Sequence, residues 1–393
     1  MAKVVVAGVG MTPFVKPGTS DTYDIMGAKA LQMALKDAGL AYDQVQQAYA
    51  GYVYGDSCCG QRVLYSLGMT GVPVVNVNNN CSSGATALYL ARQAVESGAV
   101  DCALAVGFEQ MNPGSLQTAF SDRPSPMDIF QEKTDKIVGH PDTPFTLRLF
   151  GGAGRAYMDQ YGITMEPFAK IRAKASVHGA NNPRAIFRKV IDVDAVMNDI
   201  VVFPGVMTRL MACPPTCGAA AAIVCTEAFA RKNGLQSNVY IAAQTMVSDL
   251  SSTFDTDDMR QVIGYDVSAA AASQVYEAAG VGPEEIDVVE LHDCFAQHEL
   301  LLYEALGFCP EGGAPQFIDD GDNTYGGKIV SNPSGGLLSR GHPLGATGVA
   351  QCVELVEQLR GQAGRCQVEG ARIGLQHNFG QGGACVVTMY RND

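Results

Sequence analysis

The order of apolar and polar positions divides this chain into two stretches that repeat one another. After Cys81 the apolar positions Leu88, Ala91 and Val95 follow helical i, i+3, i+7 spacing and stop near Gly98. After His342 the positions Val349, Val353, Val356 and Leu359 keep the same period and stop near Gly361. Each predicted helix is followed by an apolar run fit for a buried strand: "CALAVGF" from Cys102, and "ARIGLQHNFG" then "GACVVTMY" from Ala371 onward. Each is also preceded by a helix-strand pair, "DQVQQAYAGYVYG" from Asp43 and "EEIDVVELHDCF" from Glu284. The repeat is literal at its centre: Gly84-Ala85-Thr86 follows Cys81 at the offset at which Gly345-Ala346-Thr347 follows His342. An α/β fold with two β-α-β-α-β copies is therefore expected. The copies are residues 1–115 with 206–245, and 246–393, and the Pro- and Gly-punctuated segment 116–205 is inserted in the first.

If the copies pack with pseudo-twofold symmetry, the helix starts after Cys81 and His342 point at one crevice, outside the carboxyl ends of the strands. A cysteine at a helix N-terminus is expected to have its thiol pKa lowered from about 8.5 toward neutrality, by the helix dipole and by unpaired backbone N–H groups. A histidine converging on it could take its proton or polarise a carbonyl. His292 and Cys294, in "ELHDCFAQHE", end an apolar strand of the second copy and aim at the same edge. The glycines of "HNFGQGGA", residues 377 to 384, let a backbone turn approach a ligand and present N–H groups, the ingredients of an oxyanion hole.

Charge narrows the partners. Lys and Arg number 27 and Asp and Glu 40, so the net charge of −13 disfavours nucleic acid and anionic membrane surfaces. Residues 115–210 run against that trend, with twelve basic and ten acidic residues, and an anionic ligand would be least repelled there. None of the 12 cysteines forms a Cys-x-x-Cys pair, and the start of the chain lacks a signal-peptide pattern, so a reducing, cytoplasmic location is expected. The C-terminal "MYRND" carries no peroxisomal tripeptide and no apolar run is long enough to span a bilayer. Cys213-Pro-Pro-Thr-Cys217 has the wrong spacing for zinc and no histidine nearby, so no metal is expected.

"NNNCSSGATAL", "SNPSGGLLSRGHPLGATG", "HDCF" and "GDNTYGGK" resemble the thiolase superfamily over essentially the whole chain, and specifically its sterol carrier protein branch. The resemblance implies two pseudo-symmetric halves in a five-layered α-β-α-β-α arrangement, with the inserted segment binding coenzyme A. It implies that Cys81 is the nucleophile accepting the acyl group, and that His342 activates it and helps hold the thioester oxygen of the second substrate. His292 would organise that oxyanion site and Cys294 would be the acid/base thiol. Backbone N–H groups of Cys81 and Gly380 would form a second oxyanion hole. Two departures from the general thiolase pattern stand out. Asn378-Phe379-Gly380 replaces the usual C-terminal Cys-x-Gly, which shifts the acid/base role to Cys294. Thr216-Cys217-Gly218 replaces the usual Ser-Asp-Gly.

The activity so implied is cleavage of a 3-oxoacyl-CoA by coenzyme A, on medium or long, 2-methyl-branched or sterol-derived chains, in lipid metabolism of the β-oxidation type. Acyl-CoA and coenzyme A are substrates, no tightly bound cofactor is expected, and a homodimer follows from the resemblance alone. Two rivals share the fold: a retro-aldolase on steroid-CoA, whose relatives lack the Cys/His set, and a condensing enzyme, since "NFGQGG" is similar to a ketoacyl synthase loop. A rival of another class is a non-catalytic lipid carrier. The polar constellation, and the expectation that no lipid-transfer domain follows residue 393, count against it.

Overall fold

The structure is a computed structural model that describes residues 2–114, 116, 120–139 and 142–393; the expected boundary at residue 115 lies outside them. Ten strands form one sheet: β1 (Val4–Met11), β2 (Gln47–Gly51), β3 (Val74–Val77), β4 (Cys102–Glu109), β7 (Gly218–Thr226), β8 (Val239–Val247), β9 (Val288–Glu290), β10 (Val330–Ser331), β11 (Ile373–Gly380) and β12 (Ala384–Asn392). A small hairpin, β5 (Val201–Phe203) with β6 (Met207–Thr208), lies apart from it.

The sheet order is β10-β9-β11-β12-β8-β1-β7-β4-β2-β3. Read outward from the β8–β1 junction, both sides have the same pattern: two antiparallel pairings, then two parallel ones. The junction itself is thin, a single antiparallel register point at Val5 and Tyr240. The doubled pattern expected from the sequence is thus present, with one correction. Residues 239–245 were grouped with the first copy, but β8 pairs along its length with β12, so the second five strands begin near residue 239. The cause is that β8 is the counterpart of β1, the strand that opens each half, and its apolar pattern alone carries no mark of which half it opens.

Alternate residues of the strands feed two different cores, as expected for a sheet buried on both faces. Val4 and Val6 of β1 join Leu88, Ala91, Val95, Val349, Val353 and Val356 in a central layer. Val5 and Ala7 join Leu31 and Ala34 of the helix Tyr23–Ala38 on the outside. The helix Tyr265–Ala279 covers the matching outer face of β8 and β12.

The central layer holds the helices Ser83–Glu96 and Leu344–Leu359, the two predicted after Cys81 and His342. Their small residues let the backbones touch. A Cβ on Gly84 would lie 2.5 Å from the Gly345 carbonyl oxygen, and one on Gly348 would lie 2.2 Å from the Ala85 nitrogen. The duplicated Gly-Ala-Thr is therefore the contact surface that brings the two helix starts together. The inserted segment forms the helices Asp128–Val138, Phe145–Tyr161 and Glu166–Asn181, which pack over the second half.

Candidate active site

β3 runs into a turn that presents Cys81, and the three asparagines before it build that turn. Asn80 takes a left-handed φ of 51°, a conformation asparagine tolerates better than most residues. Its backbone N–H donates to Asn78 Oδ1 at 3.1 Å and its side chain donates to the Gln381 carbonyl at 2.9 Å. Asn79 donates through Nδ2 to Thr86 Oγ1 at 3.1 Å. Gly380 closes against this turn: a Cβ there would meet the Asn79 carbonyl oxygen at 2.2 Å and Ser82 Oγ at 2.6 Å. Gly380 thus lies against the Cys81 turn, and no side chain fits at its position.

Cys81 Sγ and an imidazole nitrogen from each of His292 and His342 lie within 4.8 Å of one another. The two rings meet edge to face, with centroids 4.9 Å apart. Among the described residues this is the one group of three or more Cys, His, Asp or Glu close enough to share a metal ion, and thiolate and imidazole are zinc ligands. The spacing rule applied to Cys213 and Cys217 had no access to a cluster assembled from three separate segments.

Each histidine is set in one tautomer by its neighbour. Thr347 donates its hydroxyl proton to the Pro343 carbonyl at 3.0 Å, so the same oxygen accepts from His342 Nδ1–H at 2.7 Å. That leaves a lone pair on His342 Nε2, which is buried with no other partner. His292 is arranged the opposite way: Asn378 Nδ2 donates to its Nδ1 at 3.1 Å, which leaves the hydrogen on Nε2. One ring is therefore built to accept a proton and the other to donate a hydrogen bond. Burial keeps both neutral. It pushes His342 down to about 3, helped by the neighbouring Arg340 charge. It pushes His292 well below its ordinary value, helped by His342, His298 and His377.

The thiol departs from expectation. Burial first, and the Glu109 charge second, push Cys81 up to about 12, where a pKa near neutrality was expected. The helix dipole loses because the helix starts at Ser83, and its first N–H groups are already bonded, Ser82 N to Asn79 O and Ser83 N to Asn80 O. Cys81 is thus a thiol that would need a base beside it to act as a nucleophile, and His342, with its unpartnered Nε2, stands in the same cluster. Glu109 lies between the two halves: its carboxylate accepts from Val53, Tyr54 and Gly345 backbone N–H groups at 3.1, 2.9 and 2.9 Å.

Cys294 is buried, with its thiol raised well above the ordinary value by burial and then by Cys213, Cys81 and Asp293. Asp293, between the two site residues, turns away and accepts from Leu337 and Leu338 N–H. Thr216, the unexplained departure, receives the His342 backbone N–H on its hydroxyl at 3.2 Å, and so helps fix the Gly341-His342-Pro343 loop. Arg340, fully buried against Glu290 at 3.4 Å, fixes the same loop from the other side. Sequence reasoning missed Thr347, Glu109 and His298. The Thr347 signal was available, because the threonine belongs to the repeated Gly-Ala-Thr, whereas Glu109 and His298 carry no local pattern.

The family comparison agrees with this geometry. Residues 4–202 match the thiolase N-terminal domain and residues 248–390 the thiolase C-terminal domain-like model. The chain belongs to the thiolase family. Within it, the chain is 52% identical to sterol carrier protein 2 of Rattus norvegicus, over 100% of this chain and 72% of that protein. It is 43% identical to a non-specific lipid-transfer protein-like 2 of Caenorhabditis elegans, over 99% of this chain and 96% of that one. It is 37% identical to the benzoylsuccinyl-CoA thiolase subunit BbsB of Thauera aromatica, over 97% and 95%. In fold it is similar to human mitochondrial 3-ketoacyl-CoA thiolase, with TM-score 0.75 at 17% identity over 100% of this chain and 99% of that one.

Proposed function

We propose that the chain cleaves a 3-oxoacyl-CoA with coenzyme A through an acyl thioester on Cys81. The observation that carries this is the convergence of Cys81, His292 and His342 within 4.8 Å, with the histidines in complementary tautomers. His342 Nε2 takes the Cys81 proton and the sulfur attacks C3. The oxyanion is received by the backbone N–H groups of Cys81 and Gly380. Collapse breaks the C2–C3 bond, and its electron pair becomes the enolate of the departing acetyl-CoA or propanoyl-CoA. The enolate oxygen is held by His292 Nε2–H and by the protonated His342, and Cys294 delivers its proton to C2. Coenzyme A then gives its thiol proton to the Cys294 thiolate and attacks the acyl carbon, and Cys81 recovers its proton from His342. Two covalent steps replace one displacement at a ketone, and oxyanion donors of this kind contribute about 3 kcal/mol each.

The basic residues of the inserted segment are mostly used internally. Lys133 and Lys136 pair with Asp257, Lys170 with Asp319, and Arg184 with Glu354 and Glu357. Arg188 and Lys189 are exposed and form no ion pair among the described residues. They follow Ile186 and Phe187, whose N–H groups bond the Arg340 and Ser339 carbonyls at 3.2 and 3.0 Å. They are the cations best placed to meet the phosphates of coenzyme A near the His342 loop. The edge strand β3, with Val75 39% exposed, is the surface on which a homodimer would form. All 12 cysteines are unbridged, which suits the reducing, cytoplasmic location this reading assumes.

Mass spectrometry after incubation with acetoacetyl-CoA and with a longer 3-oxoacyl-CoA tests the proposal. An acyl adduct on Cys81, lost in Cys81→Ala, is expected. A lipid carrier gives no adduct, and neither does a retro-aldolase, which leaves a 3-oxoacyl-CoA uncleaved and acts on a 3-hydroxyacyl-CoA instead.

A further inference from the structure

His298 stands next to the acid/base thiol and has no role in the mechanism above. It lies one turn beyond Cys294, near the start of the helix Ala296–Ala305, and is 1% exposed. Its backbone N–H bonds the Phe295 carbonyl at 3.0 Å, which fixes the ring's origin one helical turn from the thiol. Nδ1 faces Cys294 Sγ at 3.8 Å, within reach of a hydrogen bond to sulfur, the His292 backbone also bonds the ring, and Nε2 has no close partner of its own.

The ring is confined on every side. Phe150 stands at 5.4 Å, Phe379 at 5.7 Å, His292 at 5.9 Å and His377 at 6.1 Å between ring centroids. Groups that titrate around it are His292 and Cys294 on the loop after β9, and His377 on β11. Burial holds His298 at about 4, so it stays neutral through the working range and is not itself the acid. A neutral imidazole confined against a thiol offers one thing the mechanism lacks, a hydrogen bond to the thiolate left after Cys294 gives up its proton. Burial makes that thiolate costly, and the Phe295 backbone N–H offsets only part of that cost, since the thiol still stands well above its ordinary value.

We propose that His298 is a positioning residue for Cys294, with Nδ1–H directed at Sγ so that it steadies the thiolate formed when the enolate is protonated. This rests on the thiolase reading of the site. The proton balance is unchanged: the Cys294 proton goes to C2 of the enolate, His298 keeps its own, and coenzyme A restores the Cys294 proton in the second half-reaction.

The test uses three substitutions and two readouts. His298→Asn places an amide N–H near the Nδ1 position, His298→Gln places one near Nε2, and His298→Leu removes both. The first readout is exchange of the C2 hydrogens of acetyl-CoA with deuterated water, followed across pH. The second is alkylation of Cys81 by iodoacetamide, read by mass spectrometry, which shows that each variant is folded and that the nucleophile is intact. Expected for His298→Leu is about tenfold slower exchange and an acid-side limb moved up by about one pH unit, as for loss of one hydrogen bond to a charged group, with Cys81 alkylation unchanged. His298→Asn is expected to recover exchange to within about threefold and His298→Gln not to.

Exchange in His298→Leu at the wild-type rate overturns the proposal. So does an equal loss in the Asn and Gln variants with the acid-side limb unmoved, because that is the signature of packing alone. Exchange that survives in Cys294→Ala would remove the acid/base assignment itself, and the proposal with it. Exchange lost in Cys294→Ala but untouched in His298→Leu removes only the role given to His298.

Discussion

Thr347→Val isolates the step that makes His342 a base. Threonine and valine have nearly the same shape, and Thr347 is fully buried, so the change removes one oxygen from a closed site. In the native arrangement that oxygen accepts from Nδ1–H at 2.7 Å and passes its own proton to the Pro343 carbonyl at 3.0 Å. In the variant, Nδ1–H is buried and unsatisfied, which costs about 1–3 kcal/mol. The ring escapes that cost by moving its proton to Nε2, the atom that has to receive the Cys81 proton. Either way acylation loses the same free energy, which corresponds to a rate about fivefold to about 150-fold slower. Rapid-quench mass spectrometry of acyl-Cys81 in a single turnover with acetoacetyl-CoA measures it directly. Thr347→Ser keeps the hydroxyl and is expected to stay within about threefold of the native rate. Native-rate acylation by Thr347→Val would refute the tautomer argument, and so would an equal loss in both variants.

Gly348→Ala removes a helical glycine, a change worth up to about 1 kcal/mol in favour of the helix. The new Cβ falls 2.2 Å from the Ala85 nitrogen, however, so a net loss of about 1–3 kcal/mol in a denaturant titration is expected, with reduced activity. Glu109→Gln turns an NH₂ toward backbone donors and removes the charge that raises Cys81, so alkylation of Cys81 by iodoacetamide should gain at pH 8 as the thiol falls below about 12. Burial raises Glu109 from 4.5 to about 7, so the folded chain holds that proton more tightly than the unfolded one. The stability this provides is complete below pH 4.5 and lost as pH rises through 7, and the melting-temperature difference between pH 6 and 8.5 should shrink in Glu109→Gln. Arg188→Ala with Lys189→Ala should raise KM for coenzyme A severalfold at unchanged kcat, and should weaken the rise of that KM with ionic strength in steady-state assays.

The amino-acid sequence by itself determined the doubled architecture and picked out most residues of the candidate site. A helical apolar period ending at Gly98 and at Gly361, with the same tripeptide at the same offset, is a local signal, because side-chain spacing along a helix follows from its own geometry. Cys81, His292, Cys294, His342 and the glycines of residues 377–384 were legible because they sit where apolar runs break off into polar or glycine-rich turns, whereas Asn378 entered through the family resemblance. Only the tertiary structure decided what those groups are chemically. The Cys81 pKa was misjudged from the helix start because desolvation depends on everything within several ångströms, including Glu109, twenty-eight positions away in the chain. The tautomers of His292 and His342 depend on Asn378 and Thr347, and the second of these pairings joins residues only five apart in the chain yet matters only because His292 and Cys81 arrive from elsewhere. The half to which β8 belongs was likewise a matter of pairing, which no strand records in its own side-chain pattern. Periodicity is written residue by residue, whereas dielectric, charge and hydrogen-bond direction belong to the assembled neighbourhood.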